Sequence, residues 1–331
     1  MTTAQAPQPG HWLAANTAGQ RVPLSGQWEL TCRCNLRCVM CYTDCFNTAD
    51  RLRQELTLPE IIRIMDEIQE AGCLELTLTG GEPLMRNDFL DIYTSAKQKG
   101  FLISVFTNGT LLTERLVEWW TKYPPAMIEI SLHGFGEHSF EQITRGRGSY
   151  ERCMAGIHLI LARQLPLTLK TTGMTVNRDE ILKIKEYVSR LGERYGTKVG
   201  YRFGSDIRAR LDGSDDVFSY QLADEEIIAI EQADPEFRAE RSRQDDRRQT
   251  MVRQGQGLCV GGQRKFHIDA YGQLQLCSNN RRESYDLRRG SFREGFYDVL
   301  PHFPCPARRP PAPETVLSIA TLRHAPSRGV A

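Results

Sequence analysis

From Trp28 to Phe203, short apolar runs alternate with amphipathic stretches. Residues 28–30 read as a brief first strand. Thr57-Leu58-Pro59-Glu60 has the form of a capping box. After it, Leu58, Ile61, Ile62, Met65 and Ile68 recur at helical spacing until Gly72 ends the helix. Residues 74–79 alternate as a strand does, and Gly80-Gly81-Glu82-Pro83 breaks them. A second helix carries Phe89, Ile92, Tyr93 and Ala96 on one face and closes at Gly100.

The unit then recurs. Strands are expected over 101–107, 127–132, within 165–176 and over 198–203. Helices are expected over 113–120, over 150–161 with Tyr150, Met154, Ile157 and Leu161 in phase, and after Asn177 with Ile181, Ile184, Val188 and Leu191. Strands separated by helices imply parallel pairing with right-handed crossovers. Six such units make an open α/β sheet or a partial barrel.

Beyond Phe203 the pattern weakens. Residues 206–219 read as a polar loop and 224–232 as a helix. Residues 236–258 are charged and poor in apolar positions, so they read as a linker or an exposed helix. Two short strands, 265–269 and 273–276, flank Tyr271-Gly272 as a hairpin. The expected organisation is a flexible segment 1–26, a core 27–235, the charged linker 236–258, a small cysteine-containing hairpin module 259–305 and a poorly ordered tail 306–331 rich in Arg, Pro and Ala.

Composition narrows the function. The 331 residues are 40% hydrophobic and 25% charged, enough for one large domain and a smaller one. Lys+Arg 42 against Asp+Glu 41 leaves a net charge of +1, without the broad positive field that nucleic acid requires. The first 26 residues lack the basic and apolar regions of a signal peptide, and no apolar run is long enough to span a bilayer. The ten cysteines are therefore expected in a reducing cytoplasm, as ligands or free thiols.

Three of those thiols carry the chemistry. Cys34, Cys38 and Cys41 stand at offsets 0, +4 and +7 directly after the first strand. A disulfide framework suits a short secreted chain, and chance crowding is the other bland reading, since Cys32 and Cys45 lie close by. A metal centre accounts best for three thiols, because three ligands leave a coordination position open for chemistry. The other unusual residues also fall at strand ends, where α/β folds bind ligands. Gly80–Pro83 follow strand two, Asn108-Gly109 follow strand three, and Ser131 to Gly134 end strand four.

Cys-x3-Cys-x2-Cys after the first strand, with Gly-Gly-Glu-Pro after the second, resembles the radical S-adenosylmethionine superfamily. The likeness extends over about 28–305 and takes in Ile130-Ser131-Leu132, Gly134 and Arg145-Gly146. It implies a partial (β/α)6 TIM-like barrel. It also implies a 4Fe–4S cluster on Cys34, Cys38 and Cys41, whose open iron is chelated by S-adenosylmethionine. One electron would split the sulfonium bond, and the 5′-deoxyadenosyl radical would abstract a substrate hydrogen, with flavodoxin or ferredoxin as the kind of electron donor expected. By the same likeness Gly80 and Gly81 let the backbone approach the methionine moiety, and Glu82 accepts from its ammonium. Ser131 and Arg145 resemble the pair that meets the ribose and carboxylate. Four positions keep two readings each. Glu82 accepts from the ammonium or is merely an acid at a helix N-terminus. Asn108 binds near the cofactor or favours a turn with Gly109. Met40 packs on the adenine or is merely buried. Arg145 binds the cofactor or makes a surface ion pair. His133 stands where relatives often carry Asp.

Cys259, twelve residues, Gly272, four residues and Cys277 resemble the start of the auxiliary-cluster region called SPASM or twitch, with Cys305 a third candidate ligand for one auxiliary Fe–S cluster. Complete regions of that type continue with further cysteines, and this chain has none after Cys305, which leaves a truncated, frame-shifted or divergent module open. Relatives with such a module often mature peptides or proteins, the leading expectation here. Oxidation or decarboxylation of a small molecule, such as a tetrapyrrole, is the second. A non-catalytic Fe–S or zinc protein for sensing or electron transfer is the third. Cys73 and Cys153 are expected in the core, Cys32 and Cys45 as bystanders, and His267 and His302 as ordinary polar residues.

Overall fold

Apolar alternation in the strands and apolar stripes on the helices meet across one sheet. The computed structural model describes residues 20–253, 259–305 and 307. The repeating units are β1 (Ser25–Glu29), α1 (Leu58–Glu70), β2 (Glu75–Thr79), α2 (Phe89–Gln98), β3 (Leu102–Thr107), α3 (Glu114–Lys122), β4 (Met127–Ser131), α4 (Glu137–Thr144), α5 (Ser149–Ala162), β5 (Leu167–Thr172), α6 (Ile181–Tyr195) and β6 (Gly200–Gly204). All six strands are parallel neighbours in sequence order. Sequential order with right-handed crossovers puts the helices on one side. On that side Trp28, Leu76, Leu78, Ile103, Val105, Ile128, Ile130, Leu167 and Leu169 are buried, as are the helix residues Ile61, Ile64, Ile92, Tyr93, Ile157 and Ile184. The opposite face is mainly polar: Gln27, Thr77, Ser104, Glu129, Lys170 and Arg202 alternate with that core, with Met127 beside Ser104 and Phe106 beside Glu129.

The carboxy-terminal hairpin extends this same sheet. β7 (Lys265–Ile268) pairs in parallel with β1, Gln27 opposite His267, and β8 (Gln273–Gln275) and β9 (Tyr285–Asp286) follow antiparallel. The sheet order is β6-β5-β4-β3-β2-β1-β7-β8-β9. The hairpin turn is made by Asp269, whose Oδ1 accepts from the N–H groups of Tyr271 (2.9 Å) and Gln273 (3.0 Å).

The described residues before Leu222, together with Gly261–Phe303, form one compact unit, and Leu222–Val260 with those after Phe303 form a second. The second contains α7 (Asp224–Ala233) and α8 (Pro235–Arg253), the latter with no buried side chain. The stretch expected as a charged linker over 236–258 is thus an exposed helix as far as Arg253, tied to α7 by Arg241 on Glu231 at 3.0 Å. The segment 1–19 and the tail from 308 lie outside the described residues. Helix α4 has no counterpart in the apolar pattern, because only eight residues carry it and its apolar contacts rest on Phe140 and Ile143. Among the described residues no helix is long and apolar enough to cross a membrane.

Candidate active site

The loop after β1 crosses the carboxyl ends of the strands and is tied down on every side. Leu30 N–H donates to Thr79 O (2.8 Å), keeping the chain in register with β2 past the end of β1. Arg37 and Val39 donate to the last carbonyls of α4, those of Thr144 (3.1 Å) and Ile143 (2.9 Å). Cys41 N–H closes a turn on Cys38 O at 3.0 Å. Arg210, from the polar loop after β6, donates to Cys41 O (2.7 Å) and pairs with Asp216 (2.8 Å). Leu211 N–H donates to Tyr42 O at 2.9 Å. Asn47 Nδ2 donates to Cys34 O at 2.9 Å. Cys34, Cys38 and Cys41 are brought together by this loop, and none forms a disulfide.

Their electrostatics favour a positive occupant. Burial pushes the Cys34 thiol up to about 12, with Glu82 and Cys41 adding to the rise. Burial raises Cys38 and Cys41 as well, and at Cys38 the neighbouring Cys41 and Cys34 add to it. Three thiols in mutual reach that resist ionisation are a donor set that becomes thiolate only when cationic metal stands between them. Among the described residues no three His, Cys, Asp or Glu side chains converge tightly enough for a single metal ion. By its chemistry, three cysteine thiols on one loop and no disulfide among them, the donor set fits an iron–sulfur cluster in which each thiolate takes a different iron.

The Gly-Gly-Glu-Pro turn lies beneath the loop. Gly81 N–H donates to Thr31 O (2.8 Å) and Glu82 N–H to Arg33 O (2.7 Å). A Cβ on Gly80 (φ +152°) would stand 2.4 Å from Thr31 O, and one on Gly81 would stand 2.5 Å from Arg33 O. The structure thus supplies its own reason for both glycines: backbone packs on backbone where the turn supports the cysteine loop. Glu82 is fully buried. Its Oε1 accepts from Thr107 Oγ1 (2.7 Å) and Leu84 N (3.1 Å), and its Oε2 from Asn108 N (2.7 Å). Burial raises its carboxyl to about 7 against the pull of these three donors. A carboxylate has about four acceptor positions, so one remains for a further cation.

Asn108 makes the turn expected of it and also reaches the cysteine loop. Its Oδ1 accepts from Thr110 N (2.9 Å), a turn contact, while its Nδ2 donates to Asn35 Oδ1 (2.9 Å) and reaches Cys34 Sγ at 3.9 Å. Ser131 ends β4 on the polar face, half-buried. Arg145 is exposed and left-handed (φ 52°) at the end of α4, directly after the two carbonyls that hold the cysteine loop. Met40 is partly buried against Val39, Ile143, Met174, Ile207 and Val217. His133 is buried, with Nδ1 accepting from Thr172 N at 3.1 Å; burial and nearby Lys170 hold its pKa down at about 3, so it is neutral.

One group escaped the sequence reading. Glu29, at the end of β1, is 1% exposed and accepts from Tyr42 OH (3.0 Å) and from both terminal nitrogens of Arg281, one at 2.8 Å. Burial alone would raise its carboxyl, yet Arg281 and His267 hold it well below the usual range. The Tyr42 ring lies between the guanidinium groups of Arg281 (5.2 Å) and Arg208 (5.5 Å). The signal was available: Glu29 is an acid inside a strand, on the same face as Gln27.

Of the later cysteines, Cys277 belongs to the unit with the sheet, bridged to Asn280, whereas Cys259 and Cys305 belong to the second unit. Cys73 and Cys153 are buried as expected, and His267 is buried beside Glu29.

Residues 28–188 match the model of the Radical SAM superfamily. Over 165 residues the chain is 34% identical to an AdoMet-dependent heme synthase of Methanosarcina barkeri, covering 50% of this chain and 47% of that protein. Over 164 residues it is 30% identical to a PqqA peptide cyclase of Granulibacter bethesdensis, covering 50% and 43%. The chain spans about half the length of the curated relatives it matches. Among solved structures, native anSMEcpe with bound AdoMet superposes at a TM-score of 0.64 and 13% identity, over 85% of this chain and 82% of that one. Streptococcus suis SuiB bound to precursor peptide SuiA superposes at 0.51 and 12% identity, over 87% and 68%. At such identities the likeness is one of fold: a mostly parallel sheet curved as a partial barrel.

Proposed function

From the match of residues 28–188 to the Radical SAM superfamily model we propose that this chain is a member of that superfamily, an enzyme that reductively cleaves S-adenosylmethionine and uses the product radical in peptide or protein maturation. Cys34, Cys38 and Cys41 would hold the 4Fe–4S cluster that the family implies. That cluster, when bound, supplies the electron that splits the sulfonium bond and so releases the 5′-deoxyadenosyl radical.

The chain's own part is positioning. Glu82, with one acceptor position left, receives the cofactor's ammonium. Asn108 and Asn35 brace the loop beside Cys34. Ser131 and Arg145 stand at the rim for the ribose and carboxylate. Met40 seals the apolar side. The polar face of the sheet receives the substrate, and a flavodoxin or ferredoxin is the proposed reductant, in a reducing compartment. Cys259, Cys277 and Cys305 are proposed ligands for one auxiliary cluster.

The observation that carries this reading is the convergence of three mutually close thiols and a buried, incompletely satisfied Glu82 at one set of strand ends. The peptide substrate class draws support from the PqqA peptide cyclase relative and from the fold shared with SuiB. Oxidation or decarboxylation of a small molecule remains a second reading, favoured by the 34% identity to a heme synthase.

The test is anaerobic reconstitution with iron and sulfide, followed by dithionite and S-adenosylmethionine. Formation of 5′-deoxyadenosine and methionine in equal amounts is expected. An intact cluster spectrum with neither product would defeat the enzyme reading. A colourless protein that takes zinc and rejects iron would point to a sensor.

A further inference from the structure

On the β4–β6 side of the polar face, among the described residues, two cations share one carboxylate. Lys170 lies on β5, half-buried, in register with Ser131 on β4 and with Arg202 on β6. Leu169 and Thr171 on either side of it are buried behind the sheet, so its side chain stands on the polar face. Arg202 is already engaged: its Nη1 is 2.8 Å from Glu129 Oε2, and Glu129 is 3% exposed. Arg281 is likewise engaged by Glu29. Lys170 acts on Glu129 through its charge alone, and Glu129 is the carboxylate that Arg202 already pairs with. His133, on the same face two residues beyond Ser131, is neutral. The β4–β6 side of this face therefore carries one positive charge in excess.

That charge has a consequence for what can fill the face. In the free protein, water solvates the ammonium. A substrate seated against Lys170 displaces that water. A neutral substrate would leave a desolvated cation whose one counter-charge, Glu129, is shared with Arg202, which is disfavoured, whereas a carboxylate at that level restores the balance. An excess cation thus selects by penalising the wrong partner as much as by attracting the right one.

We propose that Lys170 is a specificity-determining residue that receives a carboxylate of the substrate. This rests on the reading of the polar face as the substrate site of a radical SAM enzyme. The carboxylate could come from an acidic side chain of a peptide or from a propionate of a small molecule, and the chemistry at Lys170 is the same for both.

The test uses the full chain, reconstituted and loaded with S-adenosylmethionine, and two pairs of probes. One pair is a fluorescein-labelled Gly/Ala/Ser nonapeptide with a central Glu and its Gln counterpart, read by anisotropy. The other is coproporphyrin III and its tetramethyl ester, read by fluorescence. In one pair the acid is expected to bind about tenfold more tightly than its neutral match. Lys170→Met should abolish that preference and Lys170→Arg should keep it. Preference for the Glu peptide assigns a peptide carboxylate. Preference for coproporphyrin III alone leaves the role of Lys170 standing while defeating the peptide reading of function.

Cleavage of S-adenosylmethionine without substrate is measured on the same samples. It should be unchanged in Lys170→Met; a large loss there would assign Lys170 to the cofactor's own carboxylate and overturn the proposal. So would a neutral match bound as tightly as the acid in both pairs, or a preference that survives Lys170→Met. Wild-type protein that cleaves no S-adenosylmethionine at all would instead defeat the underlying enzyme reading, whatever the probes do.

Discussion

Two sets of three cysteines stand on very different supports. Cys34, Cys38 and Cys41 occupy one loop, held by the carbonyls of α4, by Arg210, by Asn47 and by the Gly80-Gly81 turn beneath. Cys259, Cys277 and Cys305 are shared between two compact units, Cys277 in the unit with the sheet and the others in the second. The first set has its geometry imposed by backbone hydrogen bonds, to which the Arg210 and Asn47 side chains add. The hairpin that bears Cys277 contributes to the first site in another way: it extends the sheet from β1 and sends Arg281 onto the buried Glu29, which also holds Tyr42, the residue after Cys41. A cysteine count treats the two sets alike; their supports do not.

The largest effect should come from the first set. Replacing Cys34, Cys38 and Cys41 together by Ala should abolish 5′-deoxyadenosine formation, measured by chromatography. Retained cleavage would dissolve the distinction between the two sets. Iron left in that variant, measured by colorimetry, belongs to Cys259, Cys277 and Cys305.

Arg281→Met tests the hairpin's ion pair. It leaves the Glu29 carboxylate buried and unpaired, with an expected loss of roughly 3–5 kcal/mol in urea unfolding. Pairing it with Glu29→Gln should recover part of that loss. The sign with pH follows from the lowered carboxyl of Glu29. The native state binds fewer protons there than the unfolded chain, so the stabilisation is full above the ordinary carboxyl range and is lost as pH falls below it.

Gly81→Ala forces a methyl group into the backbone of Arg33 and Cys32. About 1–3 kcal/mol of destabilisation is expected, with weaker iron retention on gel filtration, because the cysteine loop is what must move.

Glu82 titrates near 7. Only its ionised form accepts from an ammonium, so the affinity for S-adenosylmethionine should rise about tenfold between pH 6 and pH 8 and level off above. Equilibrium dialysis across that range checks the rise, and Glu82→Gln should flatten it.

The smallest effect on cleavage is expected from Cys259, Cys277 and Cys305 replaced together by Ala. Cleavage without substrate should stay within about twofold, since the carbonyls of Thr144 and Ile143 and the side chains of Arg210 and Asn47 hold the Cys34–Cys41 loop. A fall in iron content in this variant would show that the second set holds a cluster of its own.

Much of this was legible in the linear chain. Periodicity marked six βα units because strand and helix periods differ, and burial on one face enforces them. The Thr57 capping box and the Tyr271-Gly272 turn depend on neighbours in sequence, and both formed as expected. Helix α4 was not legible: its eight residues are too few for a period, and its role comes from two carbonyls facing a loop a hundred residues earlier. The polar loop after β6 likewise gave no sign that Arg210 would brace Cys41.

Local chemistry therefore decided where the thiols, the glycine turn and the strand ends lie along the chain, because spacing and backbone preference act over a few residues. The tertiary structure decided which of them share an environment. Burial of Glu82 between three donors, the pairing of Glu29 with Arg281 across 252 positions, and the placing of Lys170 between Ser131 and Arg202 are products of strand register. Register is set by the whole sheet packing its apolar face, and no window of sequence contains it.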